Sequence, residues 1–163
     1  MPRADEMFRA ELSPADEAAI GCLAENCGVF SADEVAIAKE LAAEHLARGA
    51  TASGYYFLLA EGASGMDGFV TYGPVPGTKN RWELYWIAVH HRARRQGLGG
   101  RLNAAVERKV REAGGVMLIA ETSTLPSYAN AREFYRKQGY RLLAEVPDWH
   151  DDGDGMAIYG KRL

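Results

Sequence analysis

The sequence predicts a mixed α/β (α+β) chain: a central, mixed but mostly antiparallel sheet of about six or seven strands, flanked by about four helices. Short apolar runs alternate with longer amphipathic stretches, and no repeat, low-complexity tract or linker interrupts them, so residues 1–163 read as a single domain. Residues 82–122 run strand, glycine turn, helix, strand, and a right-handed crossover of that length makes the two strands parallel. The other strands are joined by short turns, as antiparallel neighbours are.

Residues 7–12 are a short candidate first strand. Ser13-Pro14 opens a helix ending near Cys27-Gly28, with serine as N-cap and proline where its missing N–H costs nothing. Ser31 and Glu34 have capping-box spacing, and the apolar stripe of Val35, Ala38, Leu41, Ala42 and Leu46 carries the second helix to Arg48-Gly49. Residues 55–60 and 66–72 form a hairpin, and residues 73–80, with two prolines and two glycines, form a loop. The central strand, 82–89, is followed by a helix from about Leu98 to Ala113 that Gly114-Gly115 ends. Residues 116–120 are apolar throughout, as in a strand covered on both faces. A helix over 130–138 follows, and 140–146 and 156–162 close the chain as a hairpin around an acidic loop, 147–155.

A net charge of −3 argues against general nucleic-acid binding, which needs a broad basic surface. The local basic cluster Arg92, Arg94, Arg95 and Arg101 suits one small polyanion. Cys22 and Cys27 match neither a CxxC motif nor a zinc knuckle and read as reduced. The N-terminal residues lack the apolar core of a signal peptide, and no stretch is long and apolar enough to span a bilayer, so no membrane partner and a cytoplasmic location are expected. The adjacent His90 and His91 would point apart on a strand, so no metal site is expected.

The glycines after the central strand mark an anion site, because the first N–H groups of a helix lack intrahelical partners and glycine lets a phosphate approach them. No lysine follows to make a Walker A loop, and Leu102 stands where a GxGxxG fingerprint needs its third glycine. Arg94-x-x-Gly97-x-Gly99, placed after a central strand, resembles the signature of the GNAT superfamily of acyl-CoA-dependent N-acetyltransferases. The order of elements is similar to the GNAT fold over nearly the whole chain. That resemblance implies acetyl-CoA as acyl donor, with its pyrophosphate on the loop Arg94, Arg95, Gln96, Gly97, Leu98, Gly99 and Gly100. It also implies that the two parallel strands splay, so that the pantetheine arm meets the backbone of Ile87, Ala88 and Val89. Relatives often dimerise, so a homodimer is allowed.

Acyl transfer from a thioester to an amine needs a base, an oxyanion donor and an acid for the departing thiolate. Glu83, flanked by Trp82 and Leu84, matches in position a glutamate base found on this strand in some relatives, and desolvation there would suit it to neutral pH. The bland alternative is a solvated strand glutamate. The segment around Phe134 and Tyr135 resembles the family's second motif, in which the tyrosine protonates the thiolate; the alternative is that both rings only fill the core. The backbone N–H of Val89 is a candidate donor to the oxyanion. Where relatives carry a pantetheine-binding asparagine this chain has Tyr128, so Asn130, two residues later, is the nearest coenzyme contact or else a helix cap.

The acceptor site is expected among the second helix and the loops 74–80 and 147–155, with Tyr85, Tyr128 and Trp149 lining it and Asp148, Asp151, Asp152 and Asp154 attracting a cationic amine. His150 belongs to the same loop. These features fit an N-acetyltransferase acting by direct attack on a small-molecule or peptide amine. A non-catalytic acyl-CoA-binding regulatory module and a binder of another nucleotide remain alternatives at this point.

Overall fold

The computed structural model describes residues 8–163. Helix α1, Pro14–Asn26, and helix α2, Ala32–Arg48, come first, followed by a four-residue helix α3, Ala50–Ser53, that no sequence signal marked. Six strands follow: β1, Tyr56–Gly62; β2, Gly65–Pro74; β3, Arg81–Val89; β4, Met117–Ser123; β5, Arg141–Asp151; and β6, Asp154–Arg162. Helix α4, Leu98–Glu112, lies between β3 and β4, and helix α5, Ala129–Lys137, between β4 and β5. Among the described residues there are thus five α-helices against about four expected, the extra one being a single turn.

The strands form one sheet in the order β1-β2-β3-β4-β6-β5. Only β3 and β4 are parallel; every other neighbouring pair is antiparallel. Of the expected first strand, Met7 lies outside the described residues, and the rest is a single antiparallel bridge from Arg9 to Leu59. The closing hairpin runs further than expected: β5 continues to Asp151, and a tight turn at Asp152-Gly153 replaces the long acidic loop. Pro147 fits in that strand because it falls at the register break between Val146↔Met156 and Asp151↔Asp154 on the sheet's edge, where a missing N–H costs no ladder bond.

The two faces of the sheet carry separate cores. Leu58, Val70, Leu84 and Leu118 pack with Leu102, Val106 and Val110 of α4 and with Tyr135 of α5, while Phe57, Leu59, Phe69 and Ala88 pack with Ile20 and Leu23 of α1 and Ala38 and Ala42 of α2. A buried polar chain ties α4 to the elements beside it. The Tyr140 hydroxyl donates to Asn103 Oδ1 (2.7 Å), Asn103 Nδ2 donates to Glu107 Oε1 (2.8 Å), and Lys161 Nζ of β6 donates to the same oxygen (2.7 Å). Every member has a partner, so the chain sets the position of α4 without an unsatisfied group.

At the start of α1, Asp16 accepts the Ser13 N–H (2.6 Å) and pairs with Arg9 (2.7 Å), whose guanidinium also reaches Glu61 of β1 (2.7 Å). The Arg9 hydrogen bond holds the Asp16 carboxyl down at about 2. A carboxyl depressed on folding stabilises the protein above its ordinary range, and that stability is lost as pH falls toward the folded value. Asp16→Asn should cost about 1–2 kcal/mol at neutral pH, allowing for solvent around Arg9. Urea unfolding should show the deficit shrinking between pH 4 and 2 toward the folded value of about 2.

Candidate active site

The site is built where β3 and β4 part. Their parallel pairing runs from Arg81↔Met117 to Leu84↔Ala120 and stops, while β4 stays paired with β6 as far as Ser123↔Met156. On its other side β3 bulges. Thr71 pairs with Trp86 and Tyr72 with Leu84, which leaves Tyr85 as an extra residue.

The bulge changes which residues face which core. Before it Trp82 and Leu84 face α4; after it Ile87 and Val89 do, and Trp86 and Ala88 turn toward α1 and α2. Tyr85 meets Tyr55 edge-on (5.7 Å) and Trp86 meets Phe30 (5.0 Å), both on the α1/α2 side. Strand alternation puts Glu83 on that side as well.

Backbone polarity follows from the ladder. The His90 N–H donates to Asp67 (2.8 Å), so Asp67 and His90 are a bonded pair and Val89 opposite Gly68 is not. The N–H and C=O groups of Val89, and by the same alternation of Ile87, point toward the side that β4 has left. Those of Ala88 turn to β2, which removes its backbone from the expected set. The Cys27 thiol donates to the Val89 carbonyl (3.6 Å), leaving the Val89 N–H without a partner among the described residues.

The gap opens into a cleft of about 710 Å³ that passes between the two faces of the sheet. On the α4/α5 side it is lined by Ile87, Val89, Gly99, Asn130, Phe134 and Tyr135. On the α1/α2 side it is lined by Phe30, Glu34, Tyr55, Glu83, Tyr85 and Trp86, with Glu121, Tyr128 and His150 at its border. A second hollow of about 670 Å³ lies against Tyr56, Tyr72 and Trp82 and touches neither the gap nor the glycine turn.

The glycine turn meets the α4/α5 side. Gly97 caps α4 in the left-handed region (φ 73°), offers no capping side chain, and accepts the first helical bond from Arg101 (3.1 Å). The N–H groups of residues 98–100 are therefore open to an anion. A Cβ at Gly99 would lie 3.2 Å from the Phe134 ring, so glycine allows α4 and α5 to approach here. Arg94 lines the cleft, and its guanidinium donates to the Cys27 carbonyl (2.9 Å). Arg95 is exposed at φ 62° and Gln96 is exposed. The Leu98 side chain is core, so only its backbone can serve a ligand.

Burial, and then the nearby Glu121 carboxylate, pushes the Glu83 carboxyl up to about 7. Tyr135 is 6% exposed, and its hydroxyl has no hydrogen-bond partner among the described residues. Burial and then Glu83 raise its pKa, so at neutral pH it holds a proton it can give. Burial and then Glu83 also push Tyr85 up to about 12. The Tyr128 hydroxyl donates to Glu34 Oε2 (2.7 Å), the same oxygen that takes the Ser31 N–H (2.7 Å), tying the approach to α5 to the start of α2.

Two expected parts of the site lie elsewhere. Trp149 is 60% exposed and does not line the cleft, whereas its neighbour His150 does. The loop 74–80 contributes no lining residue, because it sits at the opposite end of β3 from the gap. The sequence reading missed Glu121, Phe30, Tyr55 and Trp86 as site residues. The sequence marks Glu34 only as a helix cap and Cys27 only as a reduced thiol.

Residues 37–140 match the family model of the acetyltransferase (GNAT) family. The chain belongs to the GNAT acetyltransferases. An acetyltransferase of the GNAT family from Desulfovibrio desulfuricans is 38% identical, superposes with a TM-score of 0.91, and is matched over 95% of this chain and 97% of its own. An aminoglycoside 6'-N-acetyltransferase complexed with coenzyme A (16% identity, TM-score 0.72, 95% and 96% covered) shares the fold. So does the ribosomal-protein-S18-alanine N-acetyltransferase from Escherichia coli (20%, 0.71, 96% and 94%). At those identities the likeness is of fold alone. No curated protein matches in sequence. Among the described residues of this GNAT chain, no helix is long and apolar enough to cross a membrane.

A carboxyl raised on folding subtracts stability as pH climbs from its ordinary value to its folded one. Glu83→Gln should therefore raise the Tm at pH 8, where wild-type Glu83 is ionised, and leave it nearly unchanged at pH 4.5, its ordinary value. Melting curves at the two pH values check this independently of activity.

Proposed function

We propose that the protein transfers an acetyl group from acetyl-CoA to a primary amine by direct attack in a ternary complex. The carrying observation is that Glu83 and Tyr135 approach one gap in the sheet from opposite faces, one a carboxyl raised to about 7 and the other a protonated phenol without a partner.

The donor-side residues fit coenzyme A. The open N–H groups of residues 98–100, aided by Arg94 and Arg95, would hold the diphosphate. The unpaired backbone of Ile87 and Val89 would take the amide groups of the pantetheine arm as an added strand does, with Asn130 and Phe134 beside it. The thioester, when bound, supplies an activated acyl carbon and a thiolate leaving group.

Glu83 removes a proton from the bound ammonium, giving the neutral amine whose lone pair forms the new C–N bond. The Val89 N–H donates to the carbonyl oxygen as negative charge gathers there. Tyr135 gives its proton to sulfur as the C–S bond breaks, and regains one as the nitrogen sheds its second proton. The products are the amide, the free thiol and the proton held on Glu83, which passes to solvent.

Free Cys22 and Cys27 suit a cytoplasmic enzyme. The exposed β5 edge, with Leu142 45% and Leu143 53% exposed, is the surface a homodimer would use.

Thiol release from acetyl-CoA with a panel of amines tests the reaction. The acid limb of kcat/KM should rise with pH through about 7, the value at which Glu83 ionises in the free protein. Glu83→Gln should abolish that limb and lower kcat/KM by about 10²–10⁴-fold, and Tyr135→Phe should lower kcat by about 10²-fold with little change in KM. Wild-type rates in either variant would remove that residue from the reaction.

A further inference from the structure

The α1/α2 side of the cleft has a chemical character of its own. Among the described residues three carboxylates line it, Glu34, Glu83 and Glu121, and no lysine or arginine does. Arg94, which also lines the cleft, sits with the glycine turn and donates to the Cys27 carbonyl. Most of the rest of the wall is hydrocarbon and aromatic, with Phe30 set against Trp86 and Tyr55 against Tyr85, and Tyr128 and His150 are the other polar side chains of this side. Tyr135, more than nine-tenths buried, lines the same cleft with its hydroxyl unpartnered, which marks where the reacting end of a ligand lies.

The carboxylates divide between floor and roof. Glu83 pairs in register with Ile119, so Glu121, two residues on, shares its face of the sheet, one residue past the last position at which β4 pairs with β3. Both carboxylates line the one cleft, so an ammonium entering it meets the two together. Glu34 belongs to the opposite wall, at the start of α2. Its Oε2 is taken by Ser31 and Tyr128, and Oε1 has no partner among the described residues.

We infer that the acceptor is an aliphatic dication of the diamine or polyamine class: the reacting ammonium lies between Glu83 and Glu121, the methylene stem runs along the aromatic wall, and a second ammonium binds Glu34 Oε1. Apolar surface between acidic poles fits methylenes between ammonium groups. A polyhydroxylated aminocyclitol would leave many hydroxyls facing that wall, and a peptide N-terminus need bring only one cation.

This inference rests on the acetyl-transfer reading above. Glu121 then acts twice, binding the cation and opposing the ionisation of Glu83. The groups facing Glu83 are Tyr85 on its own strand, Glu121 on β4, Tyr55 before β1 and Tyr135 on α5, with Glu34 and His150 lining the same cleft. Glu121 is the carboxylate among them whose charge acts on Glu83.

The test is a comparison of kcat/KM, at saturating acetyl-CoA, for α,ω-diaminoalkanes of increasing length against n-alkylamines of matched length, with an aminoglycoside and an N-terminal alanyl peptide as further arms. A second charge-assisted contact worth 1.5–3 kcal/mol predicts that the best diamine exceeds its matched monoamine by about tenfold to a hundredfold, with a length optimum. Glu34→Gln keeps the capping box, for which glutamine also serves, and keeps an oxygen for Tyr128, so the fold is preserved while the charge is lost. That variant should bring the diamine-to-monoamine ratio close to one. Glu121→Gln should raise KM for the diamine and move the acid limb of kcat/KM to lower pH, a shift that a purely structural role for Glu121 would not produce.

Equal rates for diamines and monoamines at every length, preference for the aminoglycoside or the peptide, or a ratio that survives Glu34→Gln would each overturn the dication assignment and leave acetyl transfer standing. Thiol release that no amine raises above the hydrolytic background would overturn the transfer reading, and this inference with it.

Discussion

The arrangement depends on where two parallel strands stop pairing. β3 and β4 share four residue pairs, and after Leu84↔Ala120 the ladder ends although both strands continue. β4 keeps its antiparallel bonds to β6, and β3 keeps its own to β2. Each strand is thus held by its outer neighbour, and the break falls between them. The bulge at Tyr85 lies at this point, and bulges sharpen strand twist, which turns the end of β3 away from β4. A buried N–H or C=O left unpaired costs about as much as a lost hydrogen bond, so a gap of this kind persists where a ligand or a side chain answers its groups. Cys27 answers one of them at Val89.

The same break joins the electrostatics of the two faces. Glu83 belongs to the α1/α2 side and Tyr135 to the α4/α5 side, yet the Glu83 charge helps raise the Tyr135 phenol across the gap. Holding a carboxyl in a partly apolar slot beside a second carboxylate costs folding free energy at neutral pH, and sites that carry chemistry often bear such a cost. The frame around the slot is correspondingly firm. The Tyr140–Asn103–Glu107–Lys161 chain fixes α4 against β6 and the residue that follows α5, and the close approach of Gly99 to Phe134 sets the two helices that bear the glycine turn and Tyr135.

Much of the fold was legible because its signals are local. Ser31 and Glu34 announced α2, the glycines at 97–100 announced the start of α4, and the apolar run after Gly115 announced β4. The bulge was not legible. WELYWIAV is apolar on both faces, so the phase change at Tyr85 leaves no trace in its periodicity. Pro147 and its neighbouring aspartates suggested a loop, because sequence does not reveal that β5 is an edge where proline is tolerated. Among the residues lining the cleft, the resemblance to relatives singled out Glu83 and Tyr135. Glu34 was hidden by its capping role, and the contacts of Cys27 with Val89 and Arg94 span more than sixty residues. Glu121 did carry a cue, a carboxylate directly after a buried apolar run, but only the register with β3 gives it meaning.

The most direct test of the gap is residue-resolved amide hydrogen exchange with and without coenzyme A. The account predicts that the Val89 amide exchanges rapidly in the free protein and becomes protected at saturating coenzyme A, while the Ala88 amide, bonded to β2, is protected in both. A Val89 amide already protected in the free protein, or one unchanged when coenzyme A saturates, would contradict it.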